Sequence, residues 1–516
     1  MKHLKIITLL SGILLWTGCT KLDEKLQGEA TNEQVSGSSG SAEALLRGVY
    51  NAMRLPYQSN DQVFALSEMS TDELIAPTRG GDWDDNGVWR VLHSHQWDGD
   101  NIHIRDAFNN LGGVVYTATD ILQFNPSTQQ AAEARFLRAF AMFSILDFFD
   151  QVPYRDPGEQ VTEAARVRTG TAALDYIISE VNEVMPNLPD VATARANITK
   201  ANKDAARVLL MKCYLNKGVF ANRATPTFDN TDLAKVVTLA DEIINSGQYT
   251  FSASYFDNFS PTNGSLSKEN IFTAENIGGV DAGGLNAIWH TVMHYNQAPP
   301  GWNGWATLSD FYNKFTANDV RRGVAYPTGT GGPANPGKRV NVGFLVGQQY
   351  NLTTDEPLQD RTGAPLIFTP EVSSIETGNN LEVTGIRVLK YSPDYANDGS
   401  GKVDNDFVYY RYPDVLLMKA EALLRQSNAA GALPLVNQVR TARGVAALTS
   451  VDLDELLDER GREFYWECSR RLDLVRFGKF LQPWQEKPTD APRNLLFPIP
   501  NQQLAVNANL KRNPGY

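Results

Sequence analysis

The sequence predicts a mainly α-helical protein, in which a scaffold of tetratricopeptide-like helical repeats carries a long irregular insertion with short strands. Between 103 and 250, and again after Tyr412, apolar residues recur at the spacing of helices that bury one face. These stretches come in pairs joined by short turns, which is the unit of a helical-repeat scaffold. From 251 to 405, Gly, Pro, Asn and short β-type runs such as ENIFTAEN and TGIRVLKYS replace the helical pattern.

Residues 1–18 predict a lipoprotein signal peptide. Lys2 and Lys5 precede an apolar run that is too short to span a membrane. The Thr-Gly-Cys that follows looks like a lipobox, although Trp16 departs from the usual pattern, so we expect cleavage before Cys19 and lipidation of that residue. An ordinary signal peptide with an unrelated cysteine is the alternative. Residues 19–40 are polar and end in SGSSGS, which is typical of a flexible, lipidated tether.

An N-terminal helical-repeat region is predicted over 41–250, and a loop at 77–101 interrupts it. This loop is rich in Gly and Asp and contains Trp83, Trp89 and Trp97. Sugar rings stack their C–H faces on aromatic rings, and their hydroxyls need polar partners, so this composition suits a glycan platform. We expect Trp83 and Trp97 to be exposed. The alternative is that Trp89 and one other indole fill the core beneath the loop.

The helices that follow this loop have a strongly apolar character. The runs AEARFLRAFAMFSILDFF and KDAARVLLMKCYLNKGVF share a pattern of Ala, Leu and Phe with the helix after Tyr412. Their Phe residues are expected in the core. Cys213 and Cys468 are expected as small buried hydrophobes, because no CxxC motif occurs and three cysteines make no disulfide framework.

A second group of aromatic and polar residues lies in the insertion at 251–405, which we predict to carry the binding residues because long loops on a rigid scaffold often do. The group could form one platform with the loop at 77–101. Its members are Trp289, His290, His294, Tyr295, Asn296, Trp302, Asn303 and Trp305.

An acidic, turn-rich segment at 394–406 ends the insertion. Asp404 and Asp406 offer two oxygen ligands of the kind that Ca²⁺ prefers, but the spacing is not that of an EF-hand. A solvated acidic loop is the alternative. A structural calcium ion is the one cofactor that the sequence leaves open, since His93 and His95 are an isolated pair without zinc spacing.

The last helical repeats are predicted over 411–480. Pro413 is suited to the first turn of a helix, and Gly444 is a plausible end of its partner. A third helix carries Glu459, Arg460, Arg462 and Glu463 at three- and four-residue spacings, which predicts a charged helix surface with a structural role.

Four C-terminal sequence segments resemble the SusD/RagB family. They are RYPDVLLMKAEALLR, NQVRTARG, DERGREFYWECSRRLDLVRFGKF and LFPIPNQQLAVNANLKRNPGY. The resemblance covers essentially the whole chain and identifies 251–516 as the C-terminal RagB/SusD region. It implies a lipid-anchored protein of the outer membrane of Bacteroidota, facing outward, that captures glycans or sometimes peptides. It also implies delivery of the captured nutrient to a TonB-dependent, SusC-like transporter.

The resemblance further implies particular binding residues. Trp97 and Asn101 look matched to a Trp and an Asn that contact glucan in starch-binding members, and Tyr295 with either Trp302 or Trp305 looks like the sugar-stacking pair. A glucan of the starch or laminarin type is the first expectation, and some members hold calcium near 404. The predicted glycan-binding residues are Arg79, Asp82, Trp83, Trp97, Asn101, Tyr295, Trp302 and Trp305.

The sequence also bears on three other function classes. The net charge of −12, without a basic cluster, argues against a nucleic-acid partner, whose phosphates Lys and Arg would neutralise. A glycoside hydrolase would need a carboxylate pair, and Asp82, Asp84 and Asp85 are the candidates, but adjacent Asp on a Gly-rich loop are usually turn residues. No GxSxG, HExxH or P-loop motif occurs, so we predict no enzyme. A peptide-capturing, RagB-like protein stays open.

Overall fold

A computed structural model describes residues 39–159, 162–191, 195–328 and 339–516. The predicted signal peptide 1–18, the lipidation at Cys19 and most of the tether lie outside these ranges. The helices are α1 (Ser39–Gln58), α2 (Val63–Glu68), α3 (Arg90–His93), α4 (Ile102–Asp120), α5 (Thr128–Phe149), α6 (Gly170–Val184), α7 (Lys203–Leu215), α8 (Lys217–Ala221), α9 (Asn230–Asn245), α10 (Asn263–Leu266), α11 (Asn286–Val292), α12 (Ser309–Tyr312), α13 (Tyr412–Arg425), α14 (Ala429–Ala442), α15 (Leu453–Phe464), α16 (Arg470–Arg476) and α17 (Asn501–Val506). Within the described ranges, none of these helices has both the length and the apolar character to cross a membrane.

The strands are short and form small, separate sheets. They are β1 (Thr78–Arg79), β2 (Gln151–Tyr154), β3 (Arg166–Thr169), β4 (Asn270–Ala274), β5 (Gly323–Val324), β6 (Val342–Leu345), β7 (Gly347–Gln348), β8 (Ile367–Phe368), β9 (Ile375–Glu376), β10 (Arg387–Leu389) and β11 (Phe407–Arg411). β6 lies between β5 and β10, and the other strands pair as β1–β9, β2–β3, β4–β11 and β7–β8. Only β1–β9 is parallel among these described pairs.

The long helices form one row. α1 packs on α4, α4 on α5, α5 on α6, α6 on α7, α7 on α9, α9 on α13 and α13 on α14. The chain leaves this row after α9 and returns to it at α13, and the antiparallel pair β4–β11 joins the two ends of the insertion. The prediction of a helical-repeat scaffold interrupted by a long insertion with short strands is therefore confirmed.

Side-chain caps fix where several of these helices begin. A cap oxygen accepts backbone N–H groups that have no partner inside the helix, which stabilises its first turn. The capping residues are Asn101 for α4, Ser127 for α5, Asn202 for α7, Asp229 for α9 and Asp452 for α15. At the other end of a helix, Gly444 follows α14 with φ of +73°, a conformation in which glycine is favoured.

Most of the apolar residues form one continuous core that runs through the helical row and into the insertion. The Phe residues of α5 lie in it, as predicted, and Cys213 is buried while Cys468 is half-buried. α16 packs on α2, so the C-terminal helices close back on the N-terminal part of the chain. The scaffold is thereby a rigid support for the loops of the insertion.

The charged residues of α15 are buried rather than on the surface, which corrects the prediction of a charged helix surface. Glu459, Arg460, Arg462 and Glu463 have little or no contact with solvent. Glu459 pairs with Arg321 at 2.7 Å between Oε1 and Nη1, and Arg460 pairs with carboxylates of other helices. The spacing is the same for an exposed and a buried helix face, so the pattern alone did not distinguish them.

Two buried carboxyl groups, Glu68 and Glu73, hold the turn after α15. Glu68 Oε1 accepts the backbone N–H of Cys468 at 2.5 Å, and Glu73 Oε2 accepts that of Trp466 at 3.1 Å. Trp466 and Cys468 both have positive φ, so these bonds stabilise an unfavourable backbone. Burial raises the pKa of Glu68 to about 7. Burial and then the charge of Glu68 raise the pKa of Glu73.

We expect this pair to make the protein less stable as pH rises. The pKa of Glu68 is higher in the folded state than the ordinary value of 4.5, so the folded state binds more protons and loses stability between about pH 4.5 and pH 7. Glu68 should contribute about 2 kcal/mol to the loss from pH 5 to pH 7, and Glu73, whose pKa burial also raises, should add to it. Glu68→Gln should remove the contribution of Glu68, because a glutamine stays neutral, and should reduce that of Glu73, because the charge of Glu68 is gone. Urea unfolding at both pH values checks this.

The exposed Glu356→Gln is the matched control and should keep the wild-type pH dependence. An equal slope for wild type and Glu68→Gln would show that the buried pair does not titrate in this range.

Candidate functional site

Three segments far apart in sequence meet on one face of the insertion. The loop after α11 brings Tyr295 and Trp302, the loop after β1 brings Asp82 and Trp83, and the segment between β7 and β8 brings Arg361. We call these five residues the platform. The structure therefore brings the two predicted aromatic clusters together, as expected from the sequence.

Trp302 is the most exposed aromatic residue of the platform, with 46% of its surface accessible. Its ring stacks on His290, with ring centroids 5.5 Å apart and planes inclined by 24°. Its backbone oxygen accepts the indole N–H of Trp83 at 2.9 Å. His290 thus supports one face of the Trp302 ring and Trp83 holds its backbone, while a large part of the ring faces solvent.

His290 is held in its protonated form by two acceptors. Its Nε2 lies 2.8 Å from Asp398 Oδ1, and its Nδ1 lies 2.8 Å from the carbonyl oxygen of Pro300. The carbonyl oxygen and an ionised carboxylate only accept, so both contacts are hydrogen bonds when each ring nitrogen carries a proton. Burial disfavours the charged ring, but the hydrogen bond and charge of Asp398 outweigh it and raise the pKa of His290. Trp302 therefore stacks on a cation, which is a favourable arrangement.

Tyr295 is fixed by polar partners that are themselves exposed. Its hydroxyl donates to Asp82 Oδ2 at 3.0 Å, and the Arg361 guanidinium lies 3.9 Å from the centre of its ring. Burial and then the bond to Asp82 raise the pKa of Tyr295. The side chains of Arg361 and Asp82 are 50% and 54% exposed, so they can also bind a ligand.

Glu382 links Arg361 to the loop that carries Tyr295. Its carboxylate accepts Arg361 Nε at 2.5 Å and His294 Nε2 at 2.8 Å. Burial alone would raise the pKa of Glu382, but its bonds to Arg361 and His294 lower it. His294 Nδ1 accepts the backbone N–H of Asn296 at 3.0 Å, so this ring is neutral, and burial lowers its pKa.

Sequence reasoning missed Arg361, Glu382 and Asp398 and gave His290 no role. The one signal was composition, because each lies in the polar insertion, but nothing local distinguishes these residues from other charged residues there.

Arg79 and Trp305 lie beneath the platform, and the prediction that they bind a ligand is wrong. Arg79 is buried and donates to the carbonyl oxygens of Gly304, Leu381 and Thr384 at 3.0, 2.7 and 2.8 Å. Burial lowers its pKa to about 10. Trp305 is fully buried and packs on aromatic rings of the core. Arg79 thus ties the loop after α11 to the segment that carries Glu382.

Trp97 and Asn101 are also corrected. Trp97 is only 2% exposed, its indole N–H donates to the hydroxyl of Tyr516 at 2.5 Å, and its ring packs on Phe497. Asn101 is buried and caps α4, where its Oδ1 accepts the backbone N–H groups of His103 and Ile104. The Trp97 side chain fills the core and the Asn101 side chain caps a helix, so neither can reach a ligand on the surface. Trp83, predicted to be exposed, is half-buried.

The predicted calcium ligands hold a neighbouring loop. Asp404 accepts the backbone N–H of Gly278 at 2.5 Å, and Asp406 accepts that of Asn276 at 3.0 Å. Burial raises the pKa of Asp406 to about 6. Across the described ranges, no group of three or more His, Cys, Asp or Glu could hold a metal ion. A calcium ion at Asp404 and Asp406 stays a prediction.

The carboxylates considered for a hydrolase have structural partners as well. Asp84 Oδ1 accepts Arg90 Nη1 at 2.7 Å, and Asp85 Oδ2 accepts the indole N–H of Trp89 at 2.8 Å. Both bonds lie within the loop after β1 and shape it.

Comparison with known proteins places this chain among relatives of similar length. The starch-binding protein SusD of Bacteroides thetaiotaomicron is 25% identical over 506 residues, which cover 88% of this chain and 85% of that protein. SusD-like protein P2 of Formosa agariphila is 24% identical over the full length of both chains.

Solved structures share the fold. A SusD superfamily protein of Parabacteroides distasonis superposes with a TM-score of 0.72 at 19% identity, covering 92% of this chain and 99% of that one. Surface glycan-binding protein A of B. thetaiotaomicron, in complex with laminarihexaose, gives a TM-score of 0.69 at 18% identity with the same coverage. The model of the SusD family matches residues 222–494, which is more than half of the sequence, and the chain therefore belongs to the SusD family.

Proposed function

We propose that this protein is a cell-surface glycan-binding lipoprotein that captures an oligosaccharide or polysaccharide without cleaving it. The observation that carries the proposal is the half-exposed Trp302 in the same loop as Tyr295, whose hydroxyl and ring contact exposed Asp82 and Arg361. Flat aromatic faces suit the C–H faces of sugars, and the charged groups suit their hydroxyls. A glucan of the starch or laminarin type is the first candidate, because relatives carry starch binding in their name or hold laminarihexaose.

Binding is non-covalent in this proposal. One sugar ring stacks on Trp302 and another on Tyr295, while Asp82 accepts and Arg361 donates hydrogen bonds to hydroxyls. Each contact is weak, so a polymer gains affinity when several copies on one cell surface hold the same chain.

The lipid anchor and the partner belong to the same proposal. Lipidation at Cys19 would hold the protein at the outer membrane, where several acyl chains give stable anchoring. The captured glycan would then pass to a TonB-dependent, SusC-like transporter. Support for this part comes from the signal sequence and from family membership.

A glycoside hydrolase ranks below the peptide-capturing alternative, and the state of Glu382 disfavours it. A glycosidase needs one carboxylic acid whose pKa is raised so that it can protonate the leaving oxygen. The pKa of Glu382 is instead lowered by its hydrogen bonds to Arg361 and His294 and by the charge of Arg361.

Native affinity electrophoresis tests the proposal. The soluble form without residues 1–19 is run through gels with starch, laminarin, xylan, levan, pectin or no glycan, and reducing-end release is measured on the same samples. We expect retardation in a glucan gel and no release of sugar. Release would support a hydrolase, and no retardation in any gel would point to another glycan or to a peptide, which a peptide panel would then test.

Asp398→Asn should weaken glycan binding about three- to fivefold, because the variant no longer stabilises the protonated His290 beneath Trp302 (~0.5–1 kcal/mol). The wild-type affinity should fall as pH rises through the raised pKa of His290, and the variant should already be weak at pH 6. Calorimetric titration at pH 6 and pH 8 with the retarded glycan measures both effects. The exposed Asp310→Asn serves as control. The same affinity and pH profile in Asp398→Asn as in wild type would remove His290 from the binding mechanism.

A further inference from the structure

A cavity borders the loop that carries Tyr295. It is a cleft of about 520 Å³, which lies in the size range of small-ligand pockets. Asn296 and Gln297, in the loop after α11, line one part of it, and Asn341, Gln349 and Tyr350 line another. Side-chain amides with an aromatic ring are a suitable lining for a sugar residue, and the shared loop makes the cleft a direct neighbour of the platform. We call it the arginine cleft.

The charge of the cleft is opposite to that of the protein. Two arginines, Arg322 and Arg339, belong to its lining, and among the described residues that line it there is no Asp or Glu. The whole chain carries a net charge of −12. An anionic ligand is therefore repelled by most of the surface but attracted at this cleft.

Arg322 has donors left for a ligand. Its guanidinium lies 4.5 Å from the centre of the Tyr312 ring and donates a hydrogen bond to the Tyr312 hydroxyl. In the part of the chain that the structure describes, it makes no ion pair with a carboxylate. A guanidinium has five N–H donors, so this contact fixes its orientation and leaves a fork for two further oxygens.

Arg339 is fixed in a similar way at another part of the lining. Its guanidinium lies 3.6 Å from the centre of the Tyr350 ring, and its Nε donates to Asp355 Oδ1 at 2.8 Å. Asp355 is not part of the lining, and the pair is about one-third exposed, with values of 36% and 33%. The terminal nitrogens of Arg339 thus remain close to solvent and to the cleft.

We propose that the arginine cleft binds an anionic substituent, a carboxylate or a sulfate ester, on a sugar residue of the glycan that the platform holds. Two planar guanidinium groups match the paired oxygens of such a group better than they match neutral hydroxyls. The exposed amide of Asn296 then serves a hydroxyl of the same sugar. This inference rests on the proposed function for the neighbouring platform, but it can be tested separately.

The experiment compares ligands that differ only in charge. Laminarihexaose, laminarihexaose oxidised at C6 to carboxylates, and sulfated laminarihexaose are titrated against the protein lacking residues 1–19. Digalacturonate is a fourth probe, small enough to test the cleft without the platform. The oxidised or the sulfated probe should bind at least tenfold more tightly than the neutral one, and which of them binds better tells carboxylate from sulfate.

Variants assign the effect to the cleft. Arg322→Ala and Arg339→Ala should each weaken binding of the charged probes at least tenfold and change binding of laminarihexaose less than twofold. Arg322→Lys keeps the positive charge but lacks the paired N–H donors of a guanidinium. Its affinity for the charged probes should therefore lie between those of the alanine variants and of wild type. Arg105→Ala removes an exposed arginine outside the cleft and should bind all probes as wild type does. Thermal unfolding of each variant verifies that it is folded.

The outcomes separate this inference from the proposed function. Binding of digalacturonate that is lost in Arg322→Ala supports the cleft even if no neutral glycan binds. The inference is overturned if no charged probe binds more tightly than laminarihexaose, or if folded Arg322→Ala and Arg322→Lys bind every charged probe as wild type does.

Discussion

Replacing Glu463 with alanine is expected to lower the free energy of unfolding by about 3–5 kcal/mol, because it removes the carboxylate that three buried arginines share and leaves donors of each without an acceptor. The Glu463 carboxylate accepts Arg321 Nη1 at 3.0 Å, Arg411 Nη1 at 2.5 Å and Arg443 Nη2 at 2.7 Å. All four side chains are almost completely buried. Burial alone would raise the pKa of Glu463, but the charges of Arg443 and Arg411 hold it far below its usual range.

Urea unfolding followed by circular dichroism measures this loss. Glu463→Gln keeps an acceptor and should lose less, and it provides a reading if Glu463→Ala does not fold. Glu371→Ala, at an exposed position of the insertion, is the control and should stay within about 0.5 kcal/mol of wild type. Because the pKa of Glu463 is lowered in the folded state, its contribution should also be lost as pH falls below about 5. A loss in Glu463→Ala no larger than in the control would show that the arginines find other partners.

Trp302→Ala is expected to weaken glycan binding about 30- to 100-fold, or ~2–3 kcal/mol, without a comparable loss of stability. Nearly half of the Trp302 surface faces solvent, so its removal deletes a stacking face and leaves the core intact. Calorimetric titration with the glycan found by electrophoresis gives the affinity, and thermal unfolding gives the stability.

The matched control for this substitution is Leu266→Ala, which removes an apolar side chain of similar exposure, 45%, outside the platform. It should bind as wild type does. Trp302→Phe retains a smaller ring and should have an intermediate affinity. Wild-type affinity in Trp302→Ala would mean that the ligand binds elsewhere on the protein.

The architecture could be read from the sequence because local signals define it. The apolar spacing of the long helices depends only on neighbouring residues, and so do the turn at Gly444 and the loss of helical pattern after 251. The prediction that two aromatic clusters meet was also correct, since both lie in loops that the helical scaffold carries. Tyr295, Trp302 and Asp82 were named among the site residues and do lie on the platform.

Which tryptophan faces solvent was decided by the tertiary structure alone. Trp97 and Trp302 both lie in loops rich in Gly, Asp or Asn, yet Trp97 is buried by Phe497 and Tyr516, some 400 residues away. Arg361 reaches Tyr295 from a distant part of the insertion for the same reason. The charges of α15 have the spacing of a surface helix, and only the arginines brought in from other elements make their burial favourable. Periodicity in the sequence specifies which residues share a face, whereas exposure depends on what the folded chain packs against that face.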